Sequence, residues 1–410
     1  MDCVAVSSGT ARATGPNGNS SAPTVPGRSA TPGGLSGPAY VRYSRDTLTV
    51  DGGPDGRWIA ADESGWDGEA LFQPTEPYMT IGSVAIDDGD ADTVLALLRR
   101  DAGIEQAAEL KFGHFARGRN QRRLEVLAGA LRPGGMLAGR VRIFMIDKRF
   151  FVTAKIIDLL LEEHAHENGV DLHADDQARR YAQKLIEEGP RALGAPMFDE
   201  VIRMFVRFAG IRNRGQALVE VAELFQVLDA AERRSHRRAI TDILGMLLRC
   251  RAQADELQKT MLEPDFLLAM EPLIPTMPAV LNEWSRQVGP ASLLMDAHKV
   301  LTDDRIDILW KAMTAGHPDF RFLWTGLRPR GLARGDSWNH PSIQLADLVA
   351  GAGRAVAHFH EGLTTSTAEV GAALAASVAP LITPHSLIAH DEPIRFSRPK
   401  ESRGHPPTGS

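Results

Sequence analysis

A short apolar run that ends in charged residues constrains the fold of this chain most. Trp58-Ile59-Ala60-Ala61 has the composition of a buried strand, and Asp62-Glu63-Ser64-Gly65 follows it directly. Carboxylates at the end of a buried strand are costly to remove from water unless a cation or a donor compensates them. The segment therefore predicts a core strand with a site at its end, although Asp-Glu-Ser-Gly is also compatible with an ordinary turn.

Length and composition exclude several classes of protein. The 410 residues exceed one typical domain, and the 43% of hydrophobic residues can form a sizeable core. No apolar stretch approaches the roughly 18 residues of a membrane span, and no secretory signal is recognisable. Cys3 and Cys250 are too few for a disulfide framework or a thiolate metal site. We expect a cytoplasmic protein without membrane contact.

Strand-like and helix-like segments alternate along the chain, which predicts an α/β fold. Apolar or alternating runs predict strands over Trp58–Asp62, Tyr78–Ile86, Arg140–Ile146, Ala291–Met295 and Phe320–Trp324. Amphipathic or apolar spacing predicts helices over Ala91–Arg100, Asn120–Leu131 and Pro341–His358.

Residues 150–288 differ from the rest because they carry almost only amphipathic helical patterns, such as a continuous one over Ser235–Leu257. The predicted organisation is one α/β domain interrupted by a large all-helical insertion. Its parts are a disordered tail (1–50), a first core part (51–149), the insertion (150–288), a second core part (289–365), and a short helix with a disordered tail (366–410).

Four acidic residues lie where an apolar element ends or turns inward. Asp62 and Asp296 each end a predicted strand, Asp347 lies inside the apolar last helix, and Glu109 lies in an apolar stretch before Phe112. Ligands of open α/β sheets collect at the carboxyl ends of strands, so Asp62 and Asp296 are expected to meet there. A helix cap or a salt bridge with arginine is the alternative for Asp347.

Carboxylates without histidine or cysteine partners favour a hard cation. Mg²⁺ and Mn²⁺ prefer carboxylate oxygens and water, whereas zinc prefers nitrogen and sulfur ligands. Two such ions about 4 Å apart can activate water and stabilise the leaving oxygen of a phosphodiester. The pattern therefore predicts Mg²⁺ or Mn²⁺ as cofactor.

The order of the acidic motifs resembles a known family. Asp62-Glu63-Ser64-Gly65, Glu109-Leu110-Lys111, a strand ending in Asp296, and Gln344-Leu345-Ala346-Asp347 look like the Domain of Unknown Function 3800 family. That family is common in bacteria and is similar to the ribonuclease H-like superfamily. The resemblance covers about residues 58–147 and 290–358.

The resemblance implies a ribonuclease H-like mixed sheet flanked by helices and a metal-dependent nuclease. Asp62, Glu109, Asp296 and Asp347 would then be both catalytic residues and metal ligands. Glu109 departs from a simple ribonuclease H topology because it precedes the third predicted strand.

Five further residues are auxiliary candidates. Lys111 and Gln344 would orient ligands or contact phosphate, and His298 and His340 would move protons or orient water, although a lone histidine is more often structural. Strand alternation turns Glu63 away from Asp62, so we expect Glu63 to be a bystander.

A basic stretch within an acidic protein suggests contact with nucleic acid. The formal net charge is -6, yet residues 106–149 carry ten Lys or Arg against three Asp or Glu. Such a stretch forms either a phosphate-binding track or a solvated surface. The residues expected to contact nucleic acid are Arg117, Arg119, Arg122, Arg123, Arg328 and Arg330.

The leading hypothesis is therefore a Mg²⁺- or Mn²⁺-dependent nuclease acting on RNA or DNA. One alternative is a non-catalytic scaffold of the same fold, whose helical insertion binds a protein or nucleic acid partner or forms an oligomer. Another is a metal-dependent phosphatase acting on a small substrate. Fold analogy alone does not choose among them.

Overall fold

The computed structural model describes residues 57–67, 71–72, 76–172, 176–210, 219–261, 270–314, 329–363 and 365–389, together with Phe396. The predicted strand over Phe320–Trp324, the N-terminal tail and Arg328 lie outside these ranges.

The described residues build a five-stranded mixed sheet flanked by helices, which confirms the predicted α/β class. The strands are β1 (Arg57–Ser64), β2 (Tyr78–Val84), β3 (Val141–Asp147), β4 (Ala291–Asp296) and β5 (Gly331–Gly335). Their order across the sheet is β3-β2-β1-β4-β5. Only β2 runs against the others, because it pairs antiparallel with β1 and β3 while β4 is parallel to β1 and β5. The other four strands thus end at one edge, called here the carboxyl edge.

Helices precede and follow the strands in both halves of the chain. Between β2 and β3 lie α1 (Asp88–Ala102), α2 (Phe112–Ala116) and α3 (Gln121–Leu131). The helical segment between β3 and β4 contains α4 (Lys148–Ile156), a π-helical turn (Ile157–Glu162), α5 (Glu163–Glu167), α6 (Gln177–Leu193), α7 (Ala195–Ala209), α8 (Val221–Arg234), α9 (Arg238–Leu247), α10 (Arg251–Thr260) and α11 (Leu273–Val288). The remaining helices are α12 (Asp303–Thr314), α13 (Pro341–His360) and α14 (Ser366–Val378).

The continuous helix expected over Ser235–Leu257 is two helices, α9 and α10. The break is a tight turn in which the amides of Arg249 and Cys250 donate to carbonyls three residues earlier. Because the turn is short and Cys250 is buried, the apolar spacing continues across it and hides the break in the sequence.

None of the helices in the described ranges combines the length and the apolar character that crossing a bilayer requires.

The sheet separates two apolar cores because neighbouring residues of a strand face opposite sides. Ala60 of β1 and Leu294 of β4 face α13, together with α1, α3 and α14. Ile59 and Ala61 face the helical segment instead. This alternation sends the even-numbered residues at the ends of β1 and β4, Asp62 and Asp296, toward α13.

Helix α13 lies directly on the backbone of β2. A Cβ atom at Gly82 would lie 2.3 Å from the carbonyl oxygen of Ala346 and 2.4 Å from the amide nitrogen of Ala350. The Thr80 hydroxyl donates to the Ala350 carbonyl at 2.8 Å. This contact fixes the height of α13 above the sheet, and with it the position of Asp347.

We predict that Gly82→Ala lowers the free energy of unfolding by about 2–4 kcal/mol, because its methyl group would meet backbone atoms that cannot rotate away. Urea unfolding measures the change. The matched control is Gly129→Ala in α3, where a Cβ meets nothing within 4 Å. That variant should gain about 0.5–1 kcal/mol, since alanine is the better helix former. Equal stability of Gly82→Ala and the wild-type protein would contradict the packing argument.

Candidate active site

Asp62 and Asp296 lie side by side at the carboxyl edge. The parallel register pairs Ala61 with Met295, so the next residues along the two strands are these carboxylates. Burial raises the pKa of Asp62 well above its ordinary value, and repulsion by Glu63, Asp296 and Asp347 raises it further. A buried acid among acids holds its charge at a cost in free energy, so this position is under electrostatic strain.

Asp296 is less buried than Asp62, and its pKa is raised as well. Its pKa is raised to about 6: burial is the largest cause, Glu63 and Asp336 contribute to the rise, and the Ala297 amide and Lys111 oppose it. A carboxyl group that titrates near neutrality is a common mark of a functional site.

Asp347 reaches the cluster from α13. Its Oδ2 accepts a hydrogen bond of 2.8 Å from the amide of Phe112, the first residue of α2. Burial raises the pKa of Asp347, Glu109 and Glu63 raise it further, and the Phe112 amide and Lys111 lower it. One turn further on, a Cβ at Gly351 would lie 2.3 Å from Cγ of Phe112, so the glycine leaves room for the ring. Of the two alternatives considered for Asp347, the hydrogen bond from the Phe112 amide corresponds to the helix cap, because the first amide of α2 has no partner within its own helix.

Glu109 enters the site from the loop between α1 and α2. Its Oε1 lies 3.1 Å from Nζ of Lys111 and accepts a hydrogen bond from the Ser337 hydroxyl. Gln344 joins the α1–α2 loop to the loop between β5 and α13. Its Nε2 donates to the Ser337 carbonyl at 2.7 Å, and its Oε1 accepts from the Leu110 amide at 3.2 Å. Gln344 therefore positions Glu109, and both ends of its amide are engaged within the protein.

Lys111 is the shared counter-ion of the carboxylates. Burial lowers its pKa, but Glu109, Asp347 and Asp62 stabilise the ammonium group, so that the pKa is raised overall. Its side chain is about half exposed. The ammonium group can therefore serve the carboxylates and an incoming anion at the same time.

Glu63 belongs to the cluster, which differs from the expectation that it would be a bystander. β1 continues to Ser64, so Glu63 does leave the strand on the face opposite Asp62. At the strand end, however, the Glu63 amide donates to Oδ1 of Asp62 at 2.7 Å, and Glu63 raises the pKa of both Asp62 and Asp296. Strand alternation predicts the face of Glu63 but does not show that Glu63 acts electrostatically on Asp62 and Asp296.

His298 lies on the Glu63 side of the site. Its Nε2 lies 3.9 Å from the Glu63 carboxylate, and its Nδ1 accepts from the Val300 amide at 3.2 Å. The ring packs edge-on against Trp66, with 4.3 Å between the ring centroids. Burial lowers the pKa of His298, Lys299 lowers it further and Glu63 opposes the fall. The neutral ring thus presents its Nε2 hydrogen toward Glu63.

His340 is engaged in joining two helices. Its Nδ1 lies 2.9 Å from Oδ2 of Asp88, and Oδ1 of Asp88 accepts from the amide and the hydroxyl of Ser342. The ring is buried at the start of α13. His340 therefore fixes the start of α13 against α1, which is a positioning role and differs from the proton transfer considered above.

Asp336 is the acidic residue that the sequence did not suggest. It follows β5 directly and raises the pKa of Asp296. β5 has the sequence Gly-Leu-Ala-Arg-Gly, which lacks β-branched residues, so no strand was predicted before Asp336. The available signal was position: Asp336 opens a short polar loop before the predicted helix at Pro341.

The predicted nucleic-acid contacts divide into two groups. Arg123 donates to the carbonyls of Ala102, Gly103 and His114, and Arg122 to that of Asp101, so these two side chains hold the ends of helices. Arg117 and Arg330 are exposed. Nothing is described for the side chain of Arg119, and Arg328 lies outside the described residues. Contact of the exposed arginines with nucleic acid stays a prediction.

The carboxylates fit a hard cation in their chemistry. All donors are oxygen atoms, and burial together with neighbouring carboxylates raises the pKa of Asp62, Asp296 and Asp347. As the side chains stand, the described part of the chain contains no group of three or more His, Cys, Asp or Glu arranged to hold a metal ion. A cation would therefore require these side chains to move closer to one another.

No family model matches the chain, and comparisons with curated proteins and with solved structures return no match either. The resemblance to the Domain of Unknown Function 3800 family stays a prediction from the motifs.

We predict that Asp296→Asn stabilises the metal-free protein at pH 7.5 by on the order of 1 kcal/mol, a figure that allows for partial exposure. The folded pKa of about 6 exceeds the ordinary value of 3.8. The carboxylate therefore costs folding free energy above pH 6, progressively less between pH 6 and 3.8, and nothing below that range.

Urea unfolding in a chelator at pH 7.5 and at pH 4 measures this effect. Glu105→Gln, which removes an exposed carboxylate elsewhere, should change stability little at either pH. An Asp296→Asn variant less stable than wild type at pH 7.5 would contradict the electrostatic argument.

Proposed function

We propose that this protein is a Mg²⁺- or Mn²⁺-dependent phosphodiesterase that cleaves RNA or DNA on a ribonuclease H-like core. One observation carries the proposal. Carboxylates from two adjacent strand ends, from α13 and from the α1–α2 loop interact electrostatically at the carboxyl edge, around one lysine. Packing of the apolar cores does not require such a cluster of carboxylates, and the cluster lowers the free energy of unfolding.

The sheet supports the ribonuclease H-like part of the proposal. Its order is β3-β2-β1-β4-β5 with only β2 reversed, and α13 crosses it on the face that carries Asp62 and Asp296. Ligands of sheets with parallel strands bind at the carboxyl ends of those strands, which is where these carboxylates lie.

Asp62, Asp296, Asp347 and Glu109 are the residues that would hold the cation. A bound Mg²⁺ or Mn²⁺ would supply Lewis-acid stabilisation of the charge that develops on the phosphate oxygens. Lys111 keeps Glu109 in place at 3.1 Å and adds positive charge beside the site. Glu63 lies beside Asp62, and His298 lies beside Glu63, so these two side chains can orient a water molecule or accept its proton.

The first test is cleavage of labelled single-stranded and duplex RNA and DNA with Mg²⁺, with Mn²⁺ and with a chelator. Asp296→Asn and Asp347→Asn should each lower the rate at least about 100-fold, because they remove charge that a metal site requires. Glu105→Gln should cleave as the wild-type protein does. Thermal unfolding of each variant excludes loss of the fold as the cause.

Other outcomes separate the rival functions. Cleavage that persists in a chelator or in Asp296→Asn would overturn the proposal. Nucleic-acid binding without cleavage, unaffected by Asp296→Asn, would indicate a non-catalytic scaffold. Hydrolysis of a phosphate monoester in preference to a diester would indicate a phosphatase.

A further inference from the structure

Trp338 is unusually exposed for a residue of its type. Its side chain is 64% exposed, more than the other exposed large hydrophobic side chains of the described residues, Val170 at 50% and Met136 at 39%. A tryptophan has much apolar area to bury, and a rigid aromatic ring that binds at low entropic cost.

The loop that carries Trp338 borders the carboxylate cluster. Asp336, two residues earlier, acts electrostatically on Asp296. Ser337, the residue before it, donates its hydroxyl to Glu109. Two residues span at most about 7 Å of chain, so the indole is attached at the rim of the proposed active site.

The backbone of this loop is held firmly although the indole is exposed. The amide of Trp338 donates to Oδ1 of Asp336 at 2.8 Å, and the amides of Asn339 and His340 donate to the Asp336 carbonyl. Gln344 donates to the Ser337 carbonyl at 2.7 Å. A ligand that stacks on the indole therefore meets a ring on an ordered support, which lowers the cost of binding.

We propose that Trp338 is a stacking platform for a base of single-stranded nucleic acid whose neighbouring phosphate enters the carboxylate site. The inference rests on the proposed function and specifies its substrate class. Bases stack on exposed aromatic rings with little sequence preference, and only an unpaired base offers its face. The half-exposed Lys111, beside Glu109, is a cation available to the phosphate.

The surroundings of Trp338 favour a nucleic acid over a protein partner. A protein-binding patch combines several apolar side chains. The exposed neighbours of Trp338 are Asn339 and the acidic Asp336, so the surface beside the ring is not an apolar patch, and a phosphate would find its positive charge at Lys111 instead.

The test compares Trp338→Ala and Trp338→Phe with wild type, using single-stranded RNA and DNA 20-mers and the same sequences as duplexes. Trp338→Ala should raise KM for single strands about 5- to 100-fold with little change in kcat, because stacking contributes to binding. Trp338→Phe should recover most of the loss, and duplexes should respond less. Met136→Ala is the matched control for removing an exposed apolar side chain.

A second arm measures binding by fluorescence anisotropy in a chelator, so that it does not require catalysis. Trp338→Ala should weaken binding of a single strand by the same factor and leave binding of a fully abasic strand unchanged. Unaltered affinity for the normal strand, or an equal loss on the abasic strand, overturns the inference. If wild type binds as expected but cleaves nothing with Mg²⁺ or Mn²⁺, the proposed function fails and the stacking platform stands.

Discussion

The backbone contact between α13 and β2 is the constraint on which the arrangement depends. With no side chain at Gly82, the helix rests on the strand itself, and the Thr80 hydroxyl ties the two together. The separation of α13 from the sheet is therefore set by atoms that have no rotamer freedom. Asp347 inherits this fixed position, as does the loop that leads into α13. A site built on such a support can be strained electrostatically without drifting apart.

Repulsion between the buried carboxylates is the second constraint on the structure. Asp62 and Asp296 stand next to each other because parallel strands bring their ends together, and each is harder to ionise than a free carboxyl group. Lys111 offsets part of this repulsion, but one ammonium group serves several acids. Proteins retain such unfavourable groups where function requires them, at the expense of stability.

The sequence predicts those strands and helices whose own residues determine their structure. β1 to β4 and α13 were predicted because their apolar runs are clear, and the acidic residues at their ends followed from that. β5 was not, because Gly331-Leu332-Ala333-Arg334-Gly335 becomes a strand only by pairing with β4. Asp336 was missed for the same reason. The engagement of His340 with Asp88 joins residues far apart in the chain, and no spacing rule reveals it.

The pairing of β1 with two partners has a consequence for the free-energy cost of closing the sheet. Residues 65–77 join β1 to β2, and residues 85–140, which include α1 to α3, join β2 to β3. β4 reaches β1 only after the helical segment has been spanned, so the larger loop-closure entropy falls on that step. The pairing that brings the acids of β1 and β4 together thus carries the largest closure cost, and their repulsion adds to that cost. The carboxyl edge between β1 and β4 therefore combines an entropic and an electrostatic cost of formation.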